Sequence, residues 1–273
     1  MMQRIVLSIL LLVVSASASS EMLISPTRAI LTPDQRSTSI VLRNTSEGAR
    51  TYRLSWEEKR VNSEGRYESA EDDDSWPSAA SMIRFSPRQI TVGPQENQTV
   101  RLSFRPPANL EPGEYRSHLR LQVVAESSAP TSTFKMDHPE NDGISMQLFM
   151  QMSFSLPVIA RVGLEPPEVA ISSVEVLPAE RDQGMRLAVT INRNGEASSF
   201  GNLVIEMQRN ANTKVERIGR YEGLYIFPET GEKRVIVRLR DQQIQPGSWI
   251  RVAYEGQAEY RGILWDERVF QSK

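Results

Sequence analysis

The sequence of 273 residues contains no cysteine and only two histidines, His118 and His138. The missing cysteines exclude disulfide bonds, thiol catalysis and cysteine-ligated zinc, so apolar burial alone must stabilise the fold. Two histidines far apart in sequence leave little for a histidine metal site or a Ser-His-Asp triad. A nucleophile elbow is also missing. We therefore expect no catalytic residues, no metal and no cofactor, and an exported hydrolase is the weakest hypothesis for this chain.

The chain also lacks an excess of one charge and, after its first residues, any long apolar run. Its 32 basic and 34 acidic residues give a net charge of −2. General nucleic-acid affinity needs a basic face, so we expect no nucleic-acid partner. The opening run MMQRIVLSILLLVVSASASS has Arg4, a short apolar core and an Ala16-Ser17-Ala18 cleavage site. This pattern predicts a cleaved signal peptide over residues 1–18 and therefore an exported protein.

The densest acidic run, Glu71-Asp72-Asp73-Asp74, lies in a polar stretch that covers residues 57–81. Carboxylate oxygens suit calcium, but the glycine and terminal glutamate of an EF-hand loop are missing at their spacing. A solvated loop without a metal is the favoured interpretation.

Short segments of alternating apolar and polar residues fill most of the chain, separated by proline and glycine. An alternation with period two predicts β-strands, and no segment keeps a helical period for long. The fold is predicted to be all-β, with two immunoglobulin-like β-sandwich domains after the signal peptide, over residues 19–162 and 163–273. Pro26 marks an edge strand or a strand switch, and residues 163–167 are the predicted linker. In the second half the predicted strands are Ser172–Leu177, Met185–Asn192, Asn202–Gln208, Lys214–Gly219, Glu222–Phe227, Lys233–Arg240, Trp249–Tyr254 and Glu259–Leu264.

The stretch SMQLFMQMSFSLPVIA, residues 145–160, alternates over a length that exceeds most strands. Two interpretations remain open. The strand lies centrally in a sandwich, or it lends its edge and its flexible methionines to another protein. A long polar loop, residues 125–144, precedes it. One apolar face would carry Met146, Leu148, Met150, Met152, Phe154 and Leu156.

Short motifs follow one another in a characteristic order over residues 22–163. They are Thr27-Arg28-Ala29, Val41-Leu42-Arg43-Asn44, Tyr52, Trp56, Phe85-Ser86-Pro87-Arg88, Val92-Gly93-Pro94, Gln98-Thr99-Val100-Arg101, Gly113-Glu114-Tyr115-Arg116-Ser117-His118-Leu119 and Pro157-Val158-Ile159-Ala160-Arg161. The series resembles the periplasmic pilus-assembly chaperones of the PapD-like family. The resemblance implies donor-strand complementation, in which an edge strand completes a pilin sandwich that lacks one strand. The implied donor residues are Met146, Leu148, Met150, Met152 and Phe154.

The resemblance also implies that basic residues bind the C-terminal carboxylate of the pilin in the cleft between the two domains. Arg28 matches the arginine of the first strand. The second basic residue of the family is a lysine in the central strand, where this chain has Ser155 or Pro157. Arg161 or Arg116 is the candidate substitute. Arg116, His118 and Arg120 share one strand face, which is equally typical of a solvated stripe.

The first hypothesis is therefore a periplasmic chaperone that binds pilin subunits and delivers them to the outer membrane. An usher in that membrane is implied by the resemblance alone, and self-capping of the free protein is a further expectation. The alternative is a secreted structural or adhesive β-sandwich, since fold alone does not set function. No alternating extension follows the signal peptide, which favours the chaperone.

Overall fold

The computed structural model describes residues 22–62, 64–124, 152–180, 184–240 and 244–272, and strands dominate these ranges. No helix within them is long and apolar enough to cross a membrane. The predicted signal peptide and the loop of residues 125–144 lie outside the described residues. So do Met146, Leu148 and Met150 of the predicted donor strand.

The N-terminal half is a β-sandwich. One sheet has the order β1-β3-β9-β7 and the facing sheet has the order β2-β11-β10-β4-β8. The chain passes from one sheet to the other between β1 and β2, which confirms the switch predicted at Pro26. The strands are β1 (Met22–Ser25), β2 (Ala29–Leu31), β3 (Ser37–Asn44), β4 (Arg50–Glu57), β5 (Lys59–Val61), β6 (Tyr67–Ser69), β7 (Ile83–Ser86), β8 (Gln89–Val92), β9 (Asn97–Phe104), β10 (Gly113–Val123) and β11 (Ser153–Val162).

Alternation along the strands builds the core of this sandwich. In β3 the side chains of Ile40 and Leu42 are fully buried, while Val41 and Arg43 are exposed. Burying a side chain of this size stabilises a fold by about 1.5–3 kcal/mol. The facing sheet contributes Leu119 and Leu121 to the same cluster. A core of this kind supplies the stability that the chain cannot obtain from disulfides.

The C-terminal half is a second β-sandwich with a core of its own. One sheet has the order β12-β13-β16 and the other has the order β15-β14-β17-β18. Residues 163–167, the predicted linker, lie between β11 and β12, and the domain limits given above stay a prediction. The strands are β12 (Glu168–Glu180), β13 (Gly184–Asn194), β14 (Ser199–Gln208), β15 (Glu216–Ile226), β16 (Glu232–Arg238), β17 (Trp249–Gly256) and β18 (Leu264–Gln271).

The all-β prediction with two sandwiches is confirmed, but three local predictions are wrong. Residues 57–81 are not a plain loop, because β5 and β6 form a hairpin whose turn is organised by the Asn62 side chain. The two strands predicted around Gly223 are one strand, β15. Gly223 (φ +67°) forms a bulge there, and its N–H donates to the Asn202 Oδ1 at 2.9 Å. The strand predicted at Glu259–Leu264 is a turn, and the strand begins only at Leu264.

Backbone conformation explains that last difference. Ala258 and Gly262 have positive φ angles of +54° and +92°, which an extended strand cannot contain. Between them the chain forms a 3-10 turn, Ala258–Tyr260. The Glu259 side chain of this turn reaches Arg28 in the N-terminal half.

Candidate functional site

Strand β11 is paired on both sides along only part of its length. It pairs antiparallel with β10 over nearly its whole length, whereas β2 pairs with Val158–Ala160 alone. The other edge of residues 153–157 has no partner strand in the described part of the chain. Unpaired backbone N–H and C=O groups on such an edge are a template for a strand from another chain.

The open part of β11 continues an apolar face. Phe154 and Leu156 point to the N-terminal core, and Phe154 packs against the Tyr52 ring at 6.4 Å between centroids. Met152 directly precedes the strand, its carbonyl accepts the Val123 N–H at 3.3 Å, and its side chain is 57% exposed. Met152 and Phe154, the two predicted donor residues that the structure describes, therefore lie at the open end of the strand.

Arg28 lies at the other end of this open edge. It directly precedes β2, and the parallel register that pairs Ala29 with Val158 places Arg28 beside Pro157. A guest strand on the open edge that ran in the direction of β2 would therefore end at Arg28. The backbone alone thus aligns a strand-pairing edge with a cation at its end.

The Arg28 side chain is buried, with 6% of the residue exposed, and it faces the C-terminal half. Its guanidinium lies over the Phe200 ring, 3.6 Å from the centroid, and 5.1 Å from that of Tyr225. It donates two hydrogen bonds to the Glu259 carboxylate, one from Nη1 to Oε1 at 2.9 Å and one from Nη2 to Oε2. This is the bidentate geometry in which arginine recognises a carboxylate.

Arg161 joins Arg28 around the same carboxylate. Its Nη1 lies 3.7 Å from the Glu259 Oε1, and its Nη2 donates to the Glu114 Oε2 at 2.8 Å. Burial alone would lower the pKa of Arg161, but the Glu114 charge above all raises that pKa overall. Burial raises the pKa of Tyr260 to about 12, so its hydroxyl stays protonated and donates to the Ser198 carbonyl at 2.9 Å. Two of the predicted anchor arginines are thus brought together.

Arg116, the third predicted anchor, lies on β10, away from the line of the open edge. It pairs with Glu229 through two hydrogen bonds, one of them from Nη1 to Oε2 at 3.4 Å. Its guanidinium lies 3.8 Å from the centroid of the Phe227 ring. Glu229 also accepts the Val61 N–H at 3.0 Å. A groove of about 520 Å³ opens beside this pair and is lined by Trp76, Pro77, Pro112, Gly113, Glu114, Tyr115, Gly195, Glu196 and Pro228.

A row of aromatic rings connects the two arginines. Phe200 lies opposite Tyr225 across the β14–β15 pair, and their ring centroids are 4.5 Å apart. Tyr225 stacks on Phe227 at 5.5 Å. Arg28 covers one end of the row and Arg116 the other, so the row forms part of the contact between the two halves. Such cation–π contacts contribute about 0.5–1 kcal/mol each at exposed sites and about 2 kcal/mol when they are desolvated.

Lys59 and His118 occupy the same outer face of the β11 sheet. The Lys59 Nζ lies 3.3 Å from the Ser155 Oγ and 2.7 Å from the Glu57 Oε1. An ammonium group therefore stands at Ser155, one of the two places where the resemblance implies a basic residue. His118 is buried, and burial followed by the Arg116 charge lowers its pKa to about 3. The solvated-stripe alternative is therefore wrong for Arg116 and His118, each 2% exposed.

Sequence reasoning missed the residues that the C-terminal half contributes, namely Phe200, Tyr225, Phe227, Glu229 and Glu259. Glu259 is 231 residues from Arg28, and no local pattern connects positions so distant. One signal was available in β15. Leu224 and Ile226 fill the core, yet Tyr225 and Phe227 place large rings on the opposite face. Apolar side chains on both faces indicate a strand that is covered on both sides.

The acidic run forms local turn contacts. Asp73 accepts the Ser75 N–H and hydroxyl at 3.0 and 2.6 Å, and Glu71 accepts the Glu58 N–H at 2.8 Å. Across the described ranges, no group of three or more histidine or acidic side chains is arranged to hold a metal ion.

Comparison with known proteins finds similarity at the level of three-dimensional structure only. No protein-family model and no curated protein matches the sequence. The CupB2 chaperone of Pseudomonas aeruginosa is 11% identical, with 92% of this chain and 99% of that chain covered and a TM-score of 0.41. A chain of the CsuC-CsuE chaperone-tip adhesion subunit complex from Acinetobacter baumannii is 13% identical, with coverages of 93% and 98% and a TM-score of 0.43. A chain of the complex of the Salmonella enterica SafA pilin with the SafB chaperone is 10% identical, with coverages of 94% and 98% and a TM-score of 0.43.

Proposed function

We propose that this chain is a periplasmic chaperone that binds pilin subunits by donor-strand complementation and delivers them for assembly at the outer membrane. The observation that carries the proposal is the alignment of the open edge of β11 with Arg28. A bound strand could pair its backbone with Ser153–Pro157, and its C-terminal carboxylate would then reach the guanidinium of Arg28. Strand pairing and carboxylate recognition thus become parts of one site.

The proposed direction of the guest strand follows from charge. A guest parallel to β11 brings its C-terminus to Arg28, whereas an antiparallel guest would bring an ammonium group to the same cation. Arg161 adds a second positive charge near Arg28, and Lys59 adds an ammonium group beside Ser155. We therefore assign the anchor to Arg28 and Arg161, with Lys59 near the edge, and leave Arg116 to the contact between the halves.

In the proposed function the chain binds one pilin subunit per molecule and catalyses no reaction. An incomplete sandwich exposes both an apolar groove and unpaired strand edges, which promote aggregation. Met152, continued by the predicted donors Met146, Leu148 and Met150, would fill the groove while the backbone covers the edge. Phe154, the fifth predicted donor, packs against the chain's own core in the free protein and would have to turn from it to take part. The signal peptide predicted over residues 1–18 would place this binding in the periplasm, and the usher remains a partner by analogy.

Co-expression in a bacterial periplasm with a pilin subunit, followed by co-purification, tests the proposal. The wild-type chain should yield an equimolar soluble complex. Met152→Glu places a charge on the face that enters the pilin groove, and we expect it to reduce the recovered complex by about tenfold. Arg28→Ala should reduce recovery independently, because it removes the carboxylate contact and leaves the edge intact.

Val269→Glu is the matched control, because Val269 is also 57% exposed but lies on β18 in the C-terminal half. It should leave recovery unchanged. A pilin that is equally soluble alone, or a complex that survives Met152→Glu, would refute strand donation. The adhesive-sandwich alternative would then become the leading hypothesis.

A further inference from the structure

Glu259 occupies the carboxylate position at Arg28 in the free chain. Its two oxygens receive both guanidinium N–H bonds, which is what a bound C-terminal carboxylate would also require. We propose that Glu259 is a built-in competitor that fills this site until the C-terminal carboxylate of a client displaces it. The inference rests on the proposed function, since that function supplies the client.

The contacts of three carboxylates in the cleft distinguish Glu259 from its neighbours. Glu114 accepts the Ser198 N–H at 2.9 Å, and Glu229 accepts the Val61 N–H at 3.0 Å. The hydrogen bonds that Glu259 accepts in the described structure come from the side chain of Arg28. Backbone bonds fix Glu114 and Glu229 in the fold, whereas Glu259 can leave without breaking one.

Exposure and charge make the exchange feasible. The Glu259 side chain is 25% exposed, while that of its partner Arg28 is only 7% exposed. Glu259 can therefore turn to water while Arg28 stays in place on the Phe200 ring. Arg28 and Arg161 carry two positive charges, which Glu114 and Glu259 balance. Departure of Glu259 leaves one positive charge unbalanced, which one carboxylate neutralises.

The turn that carries Glu259 is held by other residues. The Tyr260 hydroxyl donates to the Ser198 carbonyl, and its ring packs edge-on against Trp265 at 4.7 Å. A rotation of the Glu259 side chain therefore requires no movement of the Ala258–Tyr260 turn. Displacement is then a side-chain exchange. The apparent dissociation constant for a client rises in inverse proportion to the fraction of time that Glu259 leaves the site free.

The first test uses acetate as the probe and needs no pilin. Thermal unfolding of Glu259→Ala is measured in acetate, in acetamide and in chloride at equal concentration. We expect acetate to raise the unfolding temperature of this variant by several degrees more than acetamide or chloride. The wild type and Glu175→Ala, which removes an exposed surface carboxylate, should show no such difference. Equal responses of all three proteins would refute an exchangeable carboxylate site.

The second test uses a synthetic peptide with the sequence of the last strand of a pilin, made with a free C-terminal carboxylate or with an amide. Glu259→Gln should bind the acid peptide about fivefold more tightly than the wild type does. The two proteins should bind the amide peptide with the same affinity. Glu259→Asp keeps the charge but is one methylene shorter, so it should give an intermediate gain and serves if Glu259→Gln folds poorly. Unchanged affinity for the acid, or an equal gain for the amide, would overturn the inference.

The two proposals fail in different ways. A wild-type chain that binds neither pilin nor peptide would refute the chaperone function, while the acetate measurement would still decide whether Glu259 fills an exchangeable site. A wild-type chain that binds the pilin while the Glu259 variants behave like it would refute the competitor alone.

Discussion

The two ends of the aromatic row Phe200-Tyr225-Phe227 each carry an arginine–glutamate pair, but the two glutamates are held by different contacts. At each end an arginine from the N-terminal half covers a ring and pairs with a glutamate from the C-terminal half. Glu229, at the Arg116 end, also receives the Val61 N–H, whereas Glu259 depends on arginine side chains. A carboxylate that is bonded to backbone belongs to the framework, and one that is bonded to side chains alone can be exchanged.

We infer from this difference that the Arg116 end holds the two halves together, and that the Arg28 end is the proposed binding site. A buried ion pair adds little net stability, but removal of one partner is costly when the remaining charge cannot reach water. The contrast therefore predicts unequal losses when the arginines are removed one at a time.

Removal of the arginines should have the largest effect. Arg116→Ala removes the cation over Phe227 and leaves the Glu229 carboxylate held in place by the Val61 N–H, so we expect it to lower the free energy of unfolding by about 3 kcal/mol. Arg28→Ala should cost about 2 kcal/mol, mainly the lost stacking on Phe200, because Glu259 can turn to water. Urea unfolding at pH 7 measures both values.

Arg234→Ala is the control, since Arg234 is half exposed and pairs on the surface with Glu175 at 3.0 Å. Its loss should stay within about 0.5 kcal/mol. Equal losses for Arg116→Ala and Arg28→Ala would remove the distinction between the two ends.

The second largest effect should be a loss of folding stability in acid, through His118 beside Arg116. His118 faces Tyr67 on β6, Arg116 on its own strand, Lys59 on β5 and Glu57 on β4. Its pKa is about 3 in the folded chain, because of burial first and the Arg116 charge second, against an ordinary value of 6.5. Between these values the unfolded chain binds a proton that the folded chain does not bind. The stability that the folded chain gains from a neutral His118 is therefore complete above pH 6.5 and is lost as the pH falls toward 3.

We expect the wild type to lose about 2 kcal/mol more stability between pH 7 and pH 5 than His118→Phe, which keeps a ring but cannot take up a proton. Urea unfolding at pH 7, 6 and 5 provides the comparison. Parallel pH profiles for the two proteins would mean that His118 is protonated in the folded chain or lies in water.

Alternation was sufficient to predict the two sandwiches, because period-two patterning and buried faces are local consequences of a strand. The grouping of Arg28, Arg161, Met152 and Phe154 in one functional region came from the family resemblance and not from alternation. Alternation failed at Gly223 and at Ala258, where a bulge and a turn depend on backbone angles that no residue pattern specifies. Ala258 in particular gives no sequence signal for a positive φ angle, since glycine and asparagine are the residues that usually adopt one.

The sequence could not predict the partners of Arg28 and Arg116 for a different reason. Glu259 and Glu229 lie in the other half of the chain, and the packing of two sandwiches depends on their surfaces and not on local sequence pattern. Pro157 and Ser155 gave no basic residue in the central strand, yet Lys59 supplies one from a neighbouring hairpin.

The turn at the Arg28 end offers the smallest and most specific test. Ala258 has a φ angle of +54°, which costs a residue with a Cβ about 1 kcal/mol. Ala258→Gly should therefore raise the free energy of unfolding by up to about 1 kcal/mol, less the entropy that glycine adds to the unfolded chain. Gly262→Ala is the matched opposite, because its φ angle is +92° and its added Cβ would meet nothing within 4 Å. It should lower stability by about 1 kcal/mol through backbone strain alone.

Ala258→Gly in the Arg28→Ala background shows whether Tyr260 or the Arg28–Glu259 ion pair holds the turn in place. If Tyr260 holds the turn, the gain from Ala258→Gly persists without Arg28, and the two effects add within about 0.5 kcal/mol. If the Arg28–Glu259 pair holds the turn, the strain relaxes when Arg28 is removed and the gain disappears. Additivity would support a glutamate that leaves its site while the backbone stays in place, whereas loss of the gain would make Glu259 part of the framework, like Glu229.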